Sequence, residues 1–310
     1  MIGQFDPEGF IKEQVQSIES EVGNGKAVIA ASGGVDSTVC AVLTFKAVGE
    51  RLVAAFIDDG LMREGEPEEV TNFFRERNMS TRLIDAKGEF FDALRGILDP
   101  EAKRKAFRDA FYRVLGRVLS EEGADCLIQG TIAADISETV RGIKTQHNVL
   151  EQIGIDYGLR VIEPLREIYK PQVREVARCL GMPLQVSERR PFPGPGLATR
   201  VLGEVTPERV DIVRKATRIV ESEAEGIEHF QSLAVLLSDK ATGIREGKRA
   251  YGDIVVVRVV RSEDAMRAEA AKVPWQILRR IGQRIISEIP QVVHVLYSIT
   301  DKPPATIEFQ

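Results

Sequence analysis

Between residues 26 and 181, short β-rich apolar runs alternate with longer runs of helical period, and this alternation leaves few folds open to the chain. KAVIAA (26–31), RLVAAFIDD (51–59), STRLIDA (80–86), DCLIQGT (125–131) and RVIEPL (160–165) have the length and residue types of strands. From Asp36 to about Val48, the residues Val39, Val42, Leu43 and Ala47 share one helical face. EEVTNFFRERN (68–78), the stretch from about Pro100 to Glu121, and KPQVREVARCLG (170–181) also read as helices, the last stopped by a glycine. Strands separated by helices predict an α/β domain with a parallel sheet and helices on both faces.

The alternation breaks at RRPFPGPGLATR (189–200), where three prolines and two glycines fall within six residues. Such a stretch cannot be a helix interior or a central strand, and by composition it reads as a linker. At 310 residues the chain exceeds the usual single domain. We therefore expect two domains, 1–189 and 190–310. The second half offers a helix (Pro207 to Glu225), strands SLAVLL (232–237) and DIVVVRVV (253–260), a helix (Pro274 to Ile289) and strand VVHVLYSI (292–299), a smaller α+β pattern. The β-branched run DIVVVRVV predicts burial on both faces, with a partner subunit as one candidate cover.

Composition removes several function classes. The formal net charge of -5 supplies no basic field for nucleic acid. No apolar run is long enough for a bilayer, and MIGQFDPEGF has neither the basic flank nor the apolar core of a signal peptide. Cys40, Cys126 and Cys179 are far apart and form no CxxC, which argues against a zinc knuckle or a disulfide scaffold. A cytoplasmic protein with reduced thiols, and no membrane or nucleic-acid partner, is expected.

The turn after the first strand is the richest in chemistry. Ser32, Gly33, Gly34, Val35, Asp36, Ser37 and Thr38 lie where a strand hands over to a helix, at the carboxyl edge of a parallel sheet, where such folds bind ligands. Unpaired amides at a helix start favour an anion by roughly 0.3–1 kcal/mol each. Gly33 and Gly34 admit an oxyanion close to the backbone, and Ser32 and Ser37 add hydroxyls. Asp36 is an anion within an anion site; it makes sense as a helix cap or as a ligand of Mg²⁺. The stretch is neither GxxxxGK[ST], since Val35 and Asp36 stand where lysine is needed, nor GxGxxG.

SGGVDS after a strand resembles the PP-loop of the N-type ATP pyrophosphatases, which cleave ATP between the α and β phosphates and adenylate a carbonyl oxygen. Further stretches resemble GMP synthetase in particular: IDDGLMREGE (57–66), DPEAKRKAF (99–107), QGTIAADISET (129–139), IKTQHNV (143–149), EPLREIYKPQVR (163–174), RPFPGPGLATRVLGEV (190–205) and KPPATIEF (302–309). The resemblance implies an adenine nucleotide alpha hydrolase-like PP-loop domain followed by a C-terminal dimerisation domain. It also implies ATP and Mg²⁺, adenylation of the C2 oxygen of xanthosine monophosphate (XMP), and displacement of AMP by ammonia to give GMP. Loop 32–38 would hold pyrophosphate, Asp36 the magnesium, and Lys170 would reach the pyrophosphate. Residues 131–150 lack clear periodicity and resemble the family's lid, with Asp135, Glu138, Lys144 and His147 at its acid, lysine and second-histidine positions. Gln146 stands where the first histidine is usual and cannot carry a proton at neutral pH. Lys302, Thr306, Ile307 and Glu308, with Arg200, would meet XMP in a pocket built between domains. Without the resemblance, KPPATIEF reads as a plain terminal strand.

No cysteine is flanked as in the G-x-C-x-G elbow of a glutaminase. The chain therefore resembles the separate ATP-pyrophosphatase subunit of two-subunit GMP synthetases, as in archaea. That implies a homodimer using ammonia from a separate glutamine amidotransferase subunit. The alternatives are an NAD synthetase-like or tRNA-modifying relative, or a non-catalytic nucleotide-binding regulator. The loop alone does not separate the first of these from GMP synthesis; RPFPGPGL and KPPATIE argue against the NAD synthetase-like relative, and Asp36, Lys170 and the lid acids argue against the regulator.

Overall fold

A computed structural model describes residues 5–140, 159–263 and 265–310, without the side chains of 137–140. Two compact units emerge. The first comprises Met1–Asp58, Gly65–Ala86 and Asp109–Arg189; the second comprises Asp59–Glu64, Lys87–Arg108 and Arg190–Gln310.

The first unit begins with helix α1 (Pro7–Val22), which the sequence pattern alone did not reveal. Its start is nonetheless written in the chain. Asp6 caps the helix, accepting from Gly9 N at 3.1 Å, and Pro7 opens it. Then come β1 (Ala27–Ala30), α2 (Val35–Val48), β2 (Leu52–Asp58), α3 (Glu66–Arg75) and β3 (Ser80–Asp85). Helix α4 (Lys87–Leu94) and the part of α5 (Pro100–Glu122) up to Arg108 belong to the second unit; from Asp109, α5 leads back into the first unit and on to β4 (Cys126–Ile128), α6 (Ala133–Val140), β5 (Arg160–Ile162), α7 (Lys170–Cys179) and the short α8 (Leu184–Ser187). The five strands pair in the order β3-β2-β1-β4-β5, every pair parallel. All of β2 is buried, as an apolar run in a sheet covered on both faces should be. The chain steps from β1 outward through β2 to β3, then returns to the other side of β1 for β4 and β5. The switch point thus lies between β1 and β4, where ligands of open parallel sheets bind.

The 131–150 stretch does not stay irregular throughout: Ala133–Val140 is helical. This corrects the absence of a period read in the sequence. Eight residues are too few for a clear pattern to stand out.

In the second unit, α9 (Pro207–Ala224) leads to β6 (Gln231–Arg245), β7 (Lys248–Arg261), β8 (Glu269–Ala270), α10 (Trp275–Glu288) and β9 (Val292–Tyr297). β6 and β7 form an antiparallel hairpin, and β8 (antiparallel) and β9 (parallel) both pair with β7. The hairpin extends well beyond the 232–237 and 253–260 runs expected. Its outer half is largely exposed, so backbone pairing holds it without any apolar signature. Val255, Val257 and Val259 are buried on one face of β7. On the other face, Val256 and Val260 join Leu233, Val235, Ala268 and Ile307 in one cluster. All of DIVVVRVV except the half-buried Ile254 is buried within this chain, so most of its burial is explained without a partner subunit.

Two further expectations need correcting. RPFPGPGLATR is not a simple linker. Gly196 to Arg200 form a buried 3₁₀ turn, Leu197 N donates to Leu61 O at 2.7 Å, and the Phe192 ring lies under the guanidinium groups of Arg63 and Arg200 at 4.2 and 4.9 Å. Nor is 302–309 a strand. It is an irregular tail whose one β-bridge among the described residues is between Ala268 and Lys302, and side chains hold the rest of it.

Candidate active site

The 32–38 loop sits at the switch point. Gly34 is the N-cap of α2 and no side chain caps the helix, so Asp36, in its first turn, is not a cap. Thr38 is the first residue whose amide is satisfied within the helix, on Gly34 O at 3.1 Å. The amides of Val35, Asp36 and Ser37 ahead of it have no such bond, as at any helix start. The hydroxyls are largely used within the loop. Ser32 Oγ lies 3.0 Å from Ser37 Oγ, Ser37 Oγ donates to Gly34 O at 3.1 Å, and Thr38 Oγ1 donates to the same oxygen at 2.8 Å. What the loop offers an anion is chiefly backbone, preorganised by its own side chains.

Gly33 has φ +74° and faces Val70, Arg189 and Glu66, so no other residue suits it. Arg189 holds it from outside: Nη1 donates to Gly33 O at 2.9 Å while Nη2 pairs with the buried Glu66 at 2.9 Å. From the β4 side, Gly130 lies so near α2 that a Cβ there would be 2.9 Å from Ser37 N. Sequence reasoning missed the roles of Arg189, Glu66 and Gly130. Only the glycine in QGT, placed after a strand, carried a local signal of close approach.

Lys170 opens α7 and brings Nζ to 2.6 Å from Asp36 Oδ2. Both side chains are partly exposed, 40% and 26%, so the pair contributes under ~1 kcal/mol to stability; its importance is positional. Asp36 Oδ1 is buried and has no hydrogen-bond partner among the described residues. A carboxylate oxygen held in that way fits a hard divalent cation, which takes oxygen ligands. Asp135 Oδ2 accepts from Ile132 N at 3.1 Å at the start of α6. Glu138 lies in α6, but its side chain is outside the described residues, as are Lys144, Gln146 and His147.

The predicted XMP residues all lie in the second unit. Arg200, fully buried, forms a two-pronged pair with Glu308: Nε to Oε2 at 3.0 Å and Nη2 to Oε1 at 2.9 Å. Glu308 Oε1 also accepts from Gln231 Nε2 at 2.6 Å. Arg200 Nη1 is the donor left without a partner among the described residues. Lys302 Nζ donates to Ala265 O at 2.8 Å, Thr306 Oγ1 donates to Glu308 O, and Ile307 packs in the apolar cluster. The tail is held by Arg258, the one charged residue inside the valine run. Its guanidinium is fully buried and donates to Ile307 O, Thr306 O, Thr300 O and Ser298 Oγ at 2.8–3.1 Å. Burial pushes the Arg258 pKa down from its ordinary value.

Burial raises the Cys40 thiol well above its usual range, helped by the charges of Asp36 and Glu163, and burial also raises Cys126. Neither is poised as a thiolate nucleophile. No described helix is long and apolar enough to cross a membrane.

Residues 6–194 match the family described as NAD synthase, and residues 200–309 the family described as GMP synthase C terminal domain. A protein of Methanopyrus kandleri, named as one subunit of a glutamine-hydrolyzing GMP synthase, is 52% identical across 99% of this chain and 100% of its own length. The protein of the same name from Archaeoglobus fulgidus is 53% identical over the same shares. Among solved structures, NMN synthetase from Francisella tularensis shares the fold, with 18% identity, a TM-score of 0.50 and coverage of 62% of this chain and 78% of that one.

Proposed function

We propose, for a chain that belongs to this family of archaeal GMP synthase subunits, a division of labour among its residues in the ATP-dependent conversion of XMP to GMP. The enzyme is a ligase. In the first step the XMP C2 oxygen attacks the α-phosphorus of ATP, the bond to the bridging α–β oxygen breaks, and pyrophosphate leaves. In the second, ammonia adds to C2, gives up a proton, and AMP departs with the oxygen.

Negative charge grows on the departing pyrophosphate, so fixed donors aimed there lower the barrier most. Ser32 to Thr38 supply them, chiefly the Val35, Asp36 and Ser37 amides at the positive end of α2. Magnesium, when bound, neutralises phosphate charge, and Asp36 Oδ1 is the oxygen available to hold it. Lys170 exchanges Asp36 for the pyrophosphate. Asp135, Glu138, Lys144 and His147 carry the proton-transfer and charge-neutralising groups that the family resemblance gives its lid. Lys302, Thr306, Ile307 and Glu308 hold XMP, and the spare Nη1 of Arg200 is offered to it.

The names of the relatives mark a separate partner subunit, and we assign it the glutaminase role that delivers ammonia. Buried Cys40 and Cys126, with thiols raised rather than lowered, support leaving that chemistry to the partner. Homodimerisation through the second unit is supported by exposed Trp275, Ile299, Met266 and Leu296, and the cytoplasm is the compartment we assign.

The observation that carries the mechanism is the open helix start with the unpartnered Asp36 Oδ1 beside it, at the switch point of the sheet. The test mixes ATP, Mg²⁺, ammonium and XMP and expects AMP, pyrophosphate and GMP in equal amounts. Pyrophosphate release without XMP, or glutamine turnover by the purified chain, would overturn the reading.

A further inference from the structure

We propose that Glu163 is the second carboxylate of the cation site that Asp36 begins, acting directly or through one water of the cation's shell. The inference rests on the reading of Asp36 as a magnesium ligand and adds a residue that the sequence motifs did not single out.

Glu163 follows β5 directly, on the same carboxyl edge of the sheet as the loop after β1. A short chain of contacts links the two. Gln129 N donates to Ile162 O at 2.9 Å, and Gln129 O lies 3.6 Å from Cys40 Sγ, one helical turn beyond Asp36. Next to Gln129, Gly130 touches the backbone of Asp36 and Ser37. The ends of β1, β4 and β5 therefore meet over the first turn of α2. In keeping with this, the charges of Asp36 and Glu163 both act on Cys40.

The side chain of Glu163 is only 9% exposed. Its Oε2 faces Arg166 at 3.3 Å, while Oε1 is buried and has no hydrogen-bond partner among the described residues. Asp36 repeats the arrangement, with Oδ2 on Lys170 and Oδ1 buried and unpartnered. Each carboxylate thus has one oxygen on a cationic side chain and one left over in a poorly solvated place. A buried carboxylate oxygen with no partner is costly, and one cation serving both would remove both costs. Magnesium bound to a nucleotide typically takes one or two protein carboxylates, its remaining positions going to phosphate and water. The competing explanation is that Glu163 only anchors Arg166.

The experiment measures Mn²⁺ binding by electron paramagnetic resonance on the full chain with α,β-methylene-ATP, so that no turnover occurs. Glu163→Gln and Asp36→Asn are each expected to weaken Mn²⁺ binding by about 10- to 100-fold. Arg166→Met, which breaks the ion pair and spares the carboxylate, is expected to stay within twofold of wild type. In EDTA, where no cation offsets the carboxylate, Glu163→Gln is expected to bind nucleotide no more weakly than wild type. If Glu163→Gln binds Mn²⁺ like wild type while Asp36→Asn does not, the role of Glu163 is refuted and the reading of Asp36 stands. If neither variant changes binding, both are refuted. Should Glu163→Gln fail to fold, Glu163→Asp decides: severalfold weaker Mn²⁺ binding at an unaltered unfolding midpoint supports the proposal, and wild-type binding ends it.

Discussion

Replacing Gly130 by alanine tests whether the start of α2 must sit tight against the end of β4. The added Cβ would lie 2.9 Å from Ser37 N, 3.1 Å from Asp36 C and 3.2 Å from Ser37 Cα. All three are backbone atoms, so no rotamer change relieves them. Ordinary contact begins near 3.4 Å, and the two elements must part by about 0.5 Å. Overpacking of this kind costs about 1–3 kcal/mol, less than the ~5–15 kcal/mol by which domains are stable, so the variant should fold. The displaced amides are those assigned to the pyrophosphate. A misplacement of about 1 Å can cost about 100-fold in rate, so half that distance should lower kcat/KM for MgATP by about 10-fold, with KM for XMP little changed. Urea denaturation and pyrophosphate-release kinetics read the two effects. Gly282→Ala is the control: it lies inside α10 with nothing within 4 Å of the new methyl. There the same change should add about 0.5–1 kcal/mol of stability and leave the kinetics alone. A Gly130→Ala enzyme with wild-type stability and wild-type kcat/KM for ATP would refute the argument.

Three other outcomes are expected. Lys170→Met should lower XMP-dependent pyrophosphate release by about 10²–10³-fold while shifting stability by less than ~1 kcal/mol, which steady-state assays and melting curves will separate. Glu308→Ala strands the buried Arg200 guanidinium and should destabilise by about 3–5 kcal/mol in guanidinium unfolding, with most of the loss recovered in Arg200→Met/Glu308→Leu. Lys103 donates to Val201 O and Gln310 Oε1, and burial, then the charge of Arg209, lowers its pKa from 10.5 to about 8. Between those values the folded chain binds fewer protons than the unfolded one, so this residue's contribution makes stability climb from about pH 8 to 10.5, the charged amine's desolvation cost applying in full below that window. Lys103→Met should lack the climb when unfolding free energy is compared at pH 7, 9 and 10.5.

The central strands β1, β2 and β4 were legible because they are buried and therefore apolar, whereas the largely exposed edge strands β3 and β5 were legible from their residue types and their place in the alternation with helices. In the second unit, legibility stopped where burial stops. The outer hairpin, 238–245 with 248–252, is largely exposed and held by backbone pairing, so no period marked it. Segments 59–64 and 87–108 cluster with the second unit although they lie within the first half of the chain. Their destination depends on contacts such as Arg214 Nε to Met62 O at 3.0 Å, formed across about 150 residues of sequence. A turn rich in proline and glycine looked like a linker because its residues forbid regular structure. They do not forbid burial, and Leu197 and Ala198 pack as core.

Charged residues show the same limit in the site itself. A motif says that a charge is present and is silent on whether the fold has already paired it. Arg200 and Glu308 both read as substrate contacts, yet they hold each other across 108 positions, and what a ligand can still gain from Arg200 is one donor, Nη1. Asp36 is the opposite case. A carboxylate among helix-start amides read as either a cap or a magnesium ligand, and the fold leaves the cap to Gly34 and one oxygen of Asp36 buried with no hydrogen-bond partner among the described residues. Leaving a buried acceptor unmatched costs about 1–3 kcal/mol, more when it is charged, a cost that a structural role would have removed by supplying a donor. Its persistence beside the unsatisfied amides of Val35 and Ser37, one group suited to a cation and the others to an anion, fits a site built to receive both together, as a metal-bound triphosphate is.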